Sequence, residues 1–461
     1  MSIVAAFMVP HPPMIVPEVG RGSEKQVEKT IKAYERVAQE IAALRPDTII
    51  ISSPHSMMYA DYFHISPGAG ATGSFADFGT PQVKFDVEYD QELVDCICDK
   101  AQEARFPAGT LGEKRKEFDH GTMVPLWFIL KKYMDFKLVR TGLSGCDLLK
   151  HYEFGTLIKS AADQLGKKVV YVASGDLSHK LQDYGPYGFA KEGPVYDKRI
   201  MDVCSAARFG ELFDFDESFC EKAAECGHKS FVIMAGALDG QAVEAAQYSH
   251  QDVTGVGYGI CSFVPKGDDQ SRRFLSKRLA QVENDLEQKR KKSDAFVQLA
   301  RASAEWFVNN GTVMPLPDDL LPELLNAKAG AFVSIHKFGA LRGCIGTIAP
   351  TQKNLALEII ENAVSAVCKD PRFEPVAQDE LKYLDINVDV LGEAEPIESQ
   401  AQLDVKKYGV IVQSGYKRGL LLPDLDGVDT VERQLAIARR KGGIAPGEKV
   451  QLFRFEVVRH Y

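Results

Sequence analysis

The chain has 461 residues, of which 45% are hydrophobic and 26% are charged, and its formal net charge is −9 at pH 7. This length exceeds what one hydrophobic core usually supports, so we expect two domains. The negative charge argues against nucleic acid or an anionic membrane as a main partner. The apolar start of the chain lacks a basic segment and is interrupted by Pro10, Pro12 and Pro13, so it is predicted to be neither a signal peptide nor a membrane span.

The nine cysteines are odd in number and are scattered through the chain without a CxxC pair. Cys96 and Cys98 are too closely spaced for that motif. This usage is typical of free thiols in a reducing compartment, and we therefore predict a cytoplasmic protein.

Strand-like and helix-like segments alternate from the start of the chain to about Pro265. Continuous hydrophobic or β-branched runs predict buried strands, and longer amphipathic stretches predict helices between them. The predicted strands are Ile3–Val9, Thr48–Ser52, Lys137–Thr141, Val169–Ala173 and Tyr258–Val264; the predicted helices are Ser23–Leu44, with Ser23 as N-cap, Asp147–Leu165 and Phe189–Ala207. The alternation predicts an α/β domain with a mostly parallel sheet flanked by helices. The glycine-rich segment 66–79 is predicted to be a surface loop near a pocket.

A change in composition marks the predicted domain junction. Residues 266–293 form a long, highly charged stretch that predicts a helical linker with a solvated face. We therefore assign a first domain to residues 1–265 and a second, smaller α+β domain to residues 294–461. The second domain opens with an amphipathic helix that includes Phe296 and Phe307.

Three histidines directly follow predicted strands: His11, His55 and His179. In an open α/β sheet, ligands bind outside the carboxyl ends of the strands, so these imidazoles are predicted to converge on one pocket. Two histidines and one carboxylate can hold a metal while leaving positions open for substrate. We predict that His11 and His55 are the two histidine ligands.

The third ligand is predicted in the segment AAECGHKSF. Glu225 stands just ahead of an apolar helix and is our choice, with its neighbour Cys226 as the alternative. A thiolate at this position would favour zinc or copper and a redox-inert or scavenging role.

His179 and His120 are the predicted catalytic histidines. Asp176 lies three residues before His179 and could orient that imidazole, leaving its other nitrogen free to accept a proton. Alternatively, Asp176 and Ser178 cap the next helix. His120 precedes a helix whose N-terminal dipole favours a substrate anion, and its alternative is a purely structural turn.

These motifs together resemble the catalytic B subunit of class III extradiol ring-cleavage dioxygenases and the related Memo family. The strings are HPP at His11, SPHS at His55, DHGTMVPL at His120, SGDLSH at His179 and ECG at 225–227, and the resemblance covers about the first 265 residues. It implies that two histidines and a glutamate hold Fe(II), that a catechol binds the iron through both oxygens, that His179 is the acid–base residue and that His120 assists substrate binding. In the Memo branch the third ligand position looks like a cysteine. Because Glu225 and Cys226 are adjacent, the resemblance does not decide which of them is the third ligand. The metal is therefore either Fe(II), which we prefer, or Zn(II).

The second domain contains ALRGCIGT at 340–347 and KDPRFEPV at 369–376, and it resembles the AMMECR family. Arg342 and Cys344 are candidate functional residues, because a tight turn that places a guanidinium near a thiol can lower the thiol pKa. Alternatively, Cys344 is a small buried residue between two obligatory glycines. Asp370, Arg372 and Glu374 are predicted to form an ionic cluster or an anion site. Fusions of this kind accompany radical-SAM proteins, and since no CxxxCxxC motif occurs here, such a partner would be a separate polypeptide.

The sequence supports three functional hypotheses. The leading one is a non-haem metalloenzyme, an extradiol dioxygenase-like oxidoreductase acting on a small phenolic or enolisable substrate. The second is a hydrolase or lyase that breaks C–C bonds with metal-polarised carbonyls and without dioxygen. The third is a metal-binding scaffold of the Memo–AMMECR type. A homo-oligomer is possible, and the sequence does not decide the oligomeric state.

Overall fold

The computed structural model describes residues 2–112, 114, 117–425 and 427–461. The chain divides into two compact units, Met1–Arg278 and Leu279–Tyr461, which we call the N-terminal unit and the C-terminal unit. In the described parts of the chain, no helix is both long and apolar enough to cross a membrane.

The N-terminal unit alternates strands and helices. Its strands are β1 Ile3–Val9, β2 Thr48–Ser52, β3 Phe63–His64, β4 Gly70–Phe75, β5 Thr80–Glu88, β6 Ala108–Gly109, β7 Lys137–Thr141, β8 Val169–Ser174, β9 Gln241–Gln251 and β10 Tyr258–Asp268. Its helices are α1 Pro17–Gly20, α2 Glu28–Leu44, α3 Gln91–Glu103, α4 His120–Leu130, α5 Leu148–Leu165, α6 Glu192–Ser205, α7 Glu217–Ala223 and α8 His228–Ala237. Helix α9, Phe274–Lys292, contains the boundary between the two units.

The central sheet has the strand order β7-β2-β8-β1-β10-β9. Strands β7, β2, β8 and β1 run parallel to one another, whereas β10 is antiparallel to both β1 and β9. The prediction of an α/β fold with a mostly parallel sheet is therefore confirmed. Strand β8 lies between β2 and β1, so the segments that follow these three strands leave the sheet side by side.

The parallel strands are buried on both faces, which explains their continuous hydrophobic runs. Alternate side chains of β1 enter two different core clusters: Ala6 and Met8 pack in one, and Phe7 and Val9 in the other. Helices α3, α5 and α8 contribute to the first cluster, and α2 and α4 contribute to the second. Two helical layers thus hold the strand ends rigidly in place.

Several local predictions were wrong. Ser23 does not cap a long helix, because it begins a 3-10 segment, Ser23–Val27, and its hydroxyl donates a hydrogen bond to Gly20 O; α2 starts at Glu28. The segment 66–79 is not simply a loop, since it contains β4, which pairs with β5 as a hairpin. The helix predicted from Phe189 begins three residues later, at Glu192.

The C-terminal unit is a smaller α+β structure. Its helices are α10 Ala295–Asn310, α11 Pro322–Asn326, α12 Leu355–Cys368 and α13 Val431–Lys441. Its strands are β11 Ala331–Lys337, β12 Ala340–Gly346, β13 Leu384–Leu391, β14 Glu395–Ile397, β15 Gly409–Ser414, β16 Lys417–Leu421, β17 Gln451–Phe455 and β18 Val457–His460. They form two four-stranded antiparallel sheets, β12-β11-β13-β18 and β14-β17-β15-β16.

The ALRGCIGT segment is a strand and not the tight turn that we expected. Residues 340–346 form β12, which pairs with β11 after a turn at Phe338 and Gly339, both with positive φ. The Arg342 guanidinium donates to both carboxylate oxygens of Glu380, at 3.0 and 2.8 Å. The guanidinium next to Cys344 is that of Arg372, which donates to Cys344 O at 3.3 Å.

Candidate metal centre and active site

Three neighbouring parallel strands deliver histidines to one edge of the central sheet. His11 follows β1, His55 follows β2, and His179 follows β8, which lies between them. The Nε2 atoms of His11 and His55 are 3.0 Å apart. The ring centroids of His55 and His120 are 4.0 Å apart, so a further imidazole joins the group from the start of α4.

Ser174, the last residue of β8, fixes the orientation of His11. The Ser174 hydroxyl donates to Gly121 O at 2.6 Å and lies 2.9 Å from His11 Nδ1. Because a hydroxyl has one hydrogen, Ser174 must accept from His11 Nδ1–H. The lone pair of His11 is thereby placed on Nε2, which faces His55.

Cys226 brings a sulfur atom to the same point. Its Sγ lies 3.6 Å from His11 Nε2 and accepts a hydrogen bond from Asp176 N at 3.3 Å. The segment of Cys226 reaches the strand ends because Gly175 and Gly227 touch: a Cβ on Gly175 would lie 2.1 Å from Gly227 Cα. Only two glycines permit this approach.

Glu225 points away from the two histidines. Its Oε2 accepts a hydrogen bond from His228 N, the first residue of α8, at 2.6 Å. Burial raises the pKa of this carboxyl to about 7. The geometry therefore places Cys226, rather than Glu225, beside His11 and His55, and the glutamate ligand stays a prediction without structural support.

Asp176 and His179 form a second group of potential ligands with Cys226. Asp176 is buried, and its Oδ1 accepts a hydrogen bond from His11 N at 2.8 Å. Its Oδ2 is 4.0 Å from His179 Nε2, beyond hydrogen-bonding distance, so Asp176 does not orient His179 directly. Ser178 does not cap a helix either: its hydroxyl donates to Ala223 O at 2.7 Å.

Burial controls the protonation of the site. It lowers the pKa of His11 well below its ordinary value and the pKa of His120 and His179 to about 4, with neighbouring imidazoles adding to the effect. Burial also raises the pKa of the Cys226 thiol and brings that of Asp176 to about 7. Neutral imidazoles at pH 7 are able to act as metal ligands and as proton acceptors.

The donor set fits a divalent metal. The ligand atoms of His11, His55 and Cys226 all lie within 4.8 Å of one another, and the same holds for Asp176, His179 and Cys226. Imidazole suits zinc and iron, and sulfur shifts the preference towards zinc or copper. Metal binding would displace the thiol proton, because the thiolate is the ligand form.

A cavity of about 1010 Å³ opens next to these histidines. Its lining includes residues of the β4–β5 hairpin together with His55, Asp119, His120 and Arg140. The hairpin also places Phe78 edge-to-face with His120, at 5.6 Å between ring centroids. A small substrate in this cavity would reach His55 and His120.

Sequence reasoning missed the residues that support the histidines. Ser174 orients His11, and Asp119 caps α4 while accepting from the Ser53 hydroxyl at 2.5 Å. Arg140, which is buried in the cavity wall, donates to Ser66 Oγ and to Glu117 O, both at 2.7 Å. Arg140 could have been found from the sequence, because a charged residue in the apolar strand KLVRT is unusual. A serine at the end of a strand, such as Ser174, is common and does not indicate a role.

Two family models match this chain, one in each unit. The model for the catalytic LigB subunit of aromatic ring-opening dioxygenase matches residues 5–261, and the AMMECR1 model matches residues 297–460. The protein CA_C1420 of Clostridium acetobutylicum is 40% identical over 468 aligned positions, which cover 100% of this chain and 99% of the relative. A protein of Thermotoga maritima is 51% identical over 168 positions, covering 36% of this chain and 96% of its own.

Among solved structures, the protein PH0010 of Pyrococcus horikoshii is 32% identical and covers 36% of this chain and 88% of its own, with a TM-score of 0.34. The family models account for both units of the chain in order. The chain therefore belongs to the family of the catalytic LigB subunit of aromatic ring-opening dioxygenase, and a domain of the AMMECR1 family follows in the same polypeptide.

Proposed function

We propose that the N-terminal unit is a metal-dependent oxidoreductase that opens the ring of a small phenolic substrate with dioxygen. One observation carries this proposal: the His11 Nε2 lone pair faces His55 Nε2 at 3.0 Å and Cys226 Sγ at 3.6 Å, beside a cavity large enough for an aromatic compound. Membership of the ring-opening dioxygenase family supports the reaction class.

His11, His55 and Cys226 would hold the cation in this proposal. A bound Fe(II) or Zn(II) supplies positive charge that favours an ionised substrate hydroxyl, and iron supplies redox chemistry in addition. Ser174 keeps the His11 lone pair directed at the site. The preorganised donors therefore need little rearrangement on binding.

His179 and His120 would handle the substrate. His179 Nε2 is buried and has no hydrogen-bond partner in the described parts of the chain, so it is available to accept a hydroxyl proton. Its neutral form prevails at pH 7, since burial lowers its pKa to about 4. His120 lies on the cavity wall beside His55 and would hydrogen-bond a substrate oxygen. The β4–β5 hairpin would limit access of water to the bound substrate.

A second candidate function is C–C bond hydrolysis or lysis without dioxygen. The position of Cys226 favours it, because a thiolate ligand suits redox-inert zinc better than iron. In that reaction the same His179 nitrogen would accept the proton, and the substrate would be an enolisable carbonyl compound.

Metal analysis combined with oxygen uptake separates these functions. The full chain is purified anaerobically, loaded with Fe(II) or Zn(II), and assayed against a panel of catechols with an anaerobic control. Catechol-dependent oxygen uptake with Fe(II) supports the dioxygenase, and turnover of an enolisable substrate under anaerobic conditions supports the hydrolase or lyase. A chain that retains no divalent metal contradicts both and leaves a binding role.

The identity of the third ligand is tested by a matched pair of variants at adjacent positions. Cys226→Ser should lower the metal affinity by roughly 100-fold or more, because it replaces a proposed ligand and not a group that only supports one. Glu225→Gln should leave metal affinity unchanged, because its carboxylate faces the start of α8. The reverse outcome would assign the glutamate as ligand.

A further inference from the structure

The two candidate metal groups share one atom. Cys226 Sγ belongs both to the group with His11 and His55 and to the group with Asp176 and His179. In each group, the three ligand atoms lie within 4.8 Å of one another. A single cation held by His11 and His55 would use the first group and leave Asp176 and His179 without a bound cation.

The side chains of the second group have unused binding capacity. His179 Nε2 is buried and has no hydrogen-bond partner in the described structure. The Asp176 carboxylate is buried as well, and its Oδ2 lies 4.0 Å from His179 Nε2. In the residues that the structure describes, no Lys or Arg lies within 4.0 Å of this carboxylate. Asp176 Oδ1 already accepts a hydrogen bond from His11 N, so Oδ2 is the oxygen that remains available. A buried nitrogen without a partner is costly, and a cation would satisfy His179 Nε2 while binding Asp176 Oδ2.

The surroundings of Cys226 suit a sulfur atom with more than one bond. Its Sγ lies 3.6 Å from His11 Nε2 and accepts a hydrogen bond from the backbone N–H of Asp176 at 3.3 Å. A thiolate has several lone pairs, and a sulfur about 2.3 Å from each of two cations is compatible with the usual separation in two-metal sites.

We propose that this edge of the sheet holds a second divalent cation, bound by Asp176, His179 and Cys226, and that the Cys226 sulfur is shared between the two cations. Binding of the second cation occupies His179 Nε2. That consequence rests on the proposed function, in which the same nitrogen accepts the substrate proton. The second cation therefore inhibits turnover, and the metal concentration regulates the enzyme.

Cobalt(II) is a direct probe of the shared sulfur. The metal-free full chain is titrated anaerobically with Co²⁺ while bound metal, the thiolate-to-cobalt absorption band and the EPR signal are recorded. We expect about two Co²⁺ per chain at saturation. The second equivalent should weaken the EPR signal of the first, because a shared sulfur couples the two spins.

Matched variants assign the two positions. Asp176→Asn, which keeps an oxygen for His11 N, and His179→Ala should each reduce binding to about one equivalent while the thiolate band persists. Cys226→Ser should abolish that band. Cys146→Ser, which changes a thiol outside both groups, should bind both equivalents, and thermal unfolding checks that all variants fold.

The outcomes separate this inference from the proposed function. Saturation at about one Co²⁺ per chain, with catalysis intact, overturns the second cation and leaves the proposed function standing. Two equivalents whose EPR signals add independently overturn the shared sulfur. Binding of no metal overturns both. Activity that rises with the first equivalent and falls with the second supports the inhibitory role.

Discussion

Each unit contains a cluster of polar and charged side chains, and the two clusters differ in how completely these side chains are paired. In the N-terminal unit, His179 Nε2 and the Asp176 carboxylate lie buried without a cationic partner among the described residues. In the C-terminal unit, the Arg342 guanidinium pairs with Glu380, and Arg372 pairs with Asp370 at 2.6 Å. Incomplete pairing of buried groups is what we expect of a ligand-binding site, whereas complete pairing is what we expect of a structural cluster.

The charge cluster of the C-terminal unit fixes the β12 strand. Asp370 accepts from Cys344 N at 2.9 Å, and the Ser334 hydroxyl donates to Cys344 Sγ at 3.2 Å. Side-chain hydrogen bonding to Arg372 holds the pKa of the Asp370 carboxyl well below its usual range. These contacts favour the structural interpretation of Cys344 over a reactive thiol, and the predictions below test the contrast from the largest expected effect to the smallest.

Removal of a histidine ligand should abolish metal retention. We expect His11→Ala and His55→Ala to lose roughly 100-fold or more in metal affinity, because each removes a donor directly and not a supporting group. Metal content after dialysis measures the effect. His250→Ala is the matched control, since that imidazole pairs with Asp197 outside both metal groups. If all three variants retain the same amount of metal, the metal centre does not lie at this edge of the sheet.

Removal of the proton acceptor should slow the reaction while metal remains bound. His179→Ala, assayed at one equivalent of metal, should lose roughly 10²- to 10⁴-fold in rate. The metal held by His11, His55 and Cys226 should be retained. An unchanged rate with an unchanged pH profile would assign His179 a structural role.

Loss of the group that orients His11 should have an intermediate effect. Ser174→Ala removes the acceptor for His11 Nδ1–H, so the imidazole no longer keeps its lone pair on Nε2. Metal affinity should fall by about 10- to 100-fold. Ser53→Ala is the comparison, because Ser53 supports Asp119 instead. A larger effect from Ser53→Ala would mean that His11 is not oriented in this way.

The Arg342–Glu380 pair should make the C-terminal unit sensitive to acid. Burial raises the pKa of Glu380, but hydrogen bonds from Arg342, Ala377 N and Lys337 outweigh it and bring the pKa to about 2, against 4.5 for a free glutamate. The stabilisation is therefore present above pH 4.5 and is lost as the pH falls towards 2.

Glu380→Gln should cost about 1–3 kcal/mol in free energy of unfolding at pH 7 and should flatten this acid dependence. The chain has two tryptophans, so Trp306 reports on the C-terminal unit once Trp127 is replaced by Phe. Metal content should not change. An acid transition identical to that of the parent chain would show that the pair contributes nothing to stability.

The smallest effect is expected at Cys344. Cys344→Ser should change stability by about 1 kcal/mol or less, because the thiol is a small, half-buried group with one weak hydrogen bond. Labelling of the folded chain with a thiol reagent should be slow at this position. Rapid labelling, or loss of activity in the serine variant, would show that Cys344 has a functional role. The C-terminal cluster would then not be purely structural.

The sequence predicted the sheet well because burial on both faces leaves a strong signal. The run Thr48–Ser52 is fully buried, and its bounds agree with the prediction. The β4–β5 hairpin was missed because its first strand is rich in small residues. Gly70 stands there because a Cβ would lie 2.5 Å from Val87 O, and this requirement for close pairing is invisible in the sequence.

The choice between Glu225 and Cys226 depends on a local turn that composition does not encode. Ala224 adopts a left-handed conformation, with φ of 52°, at the end of α7, and this turn decides which of the next two side chains faces His11. Adjacent side chains point in different directions, so an error of one residue exchanges a carboxylate for a thiol. The convergence of the histidines, in contrast, followed from the parallel strands alone.

The contact between Gly175 and Gly227 joins segments that are far apart in the chain, so it determines when the candidate site can form during synthesis. His11 and Cys226 are 215 positions apart, so at about 5–20 residues per second the ribosome synthesises the His11 imidazole roughly ten seconds or more before the sulfur. The nascent chain holds an incomplete set of donors throughout that interval. In the proposed metal centre, the complete set of donors therefore exists only after the segment that carries Cys226 has been synthesised and has packed against the strand ends.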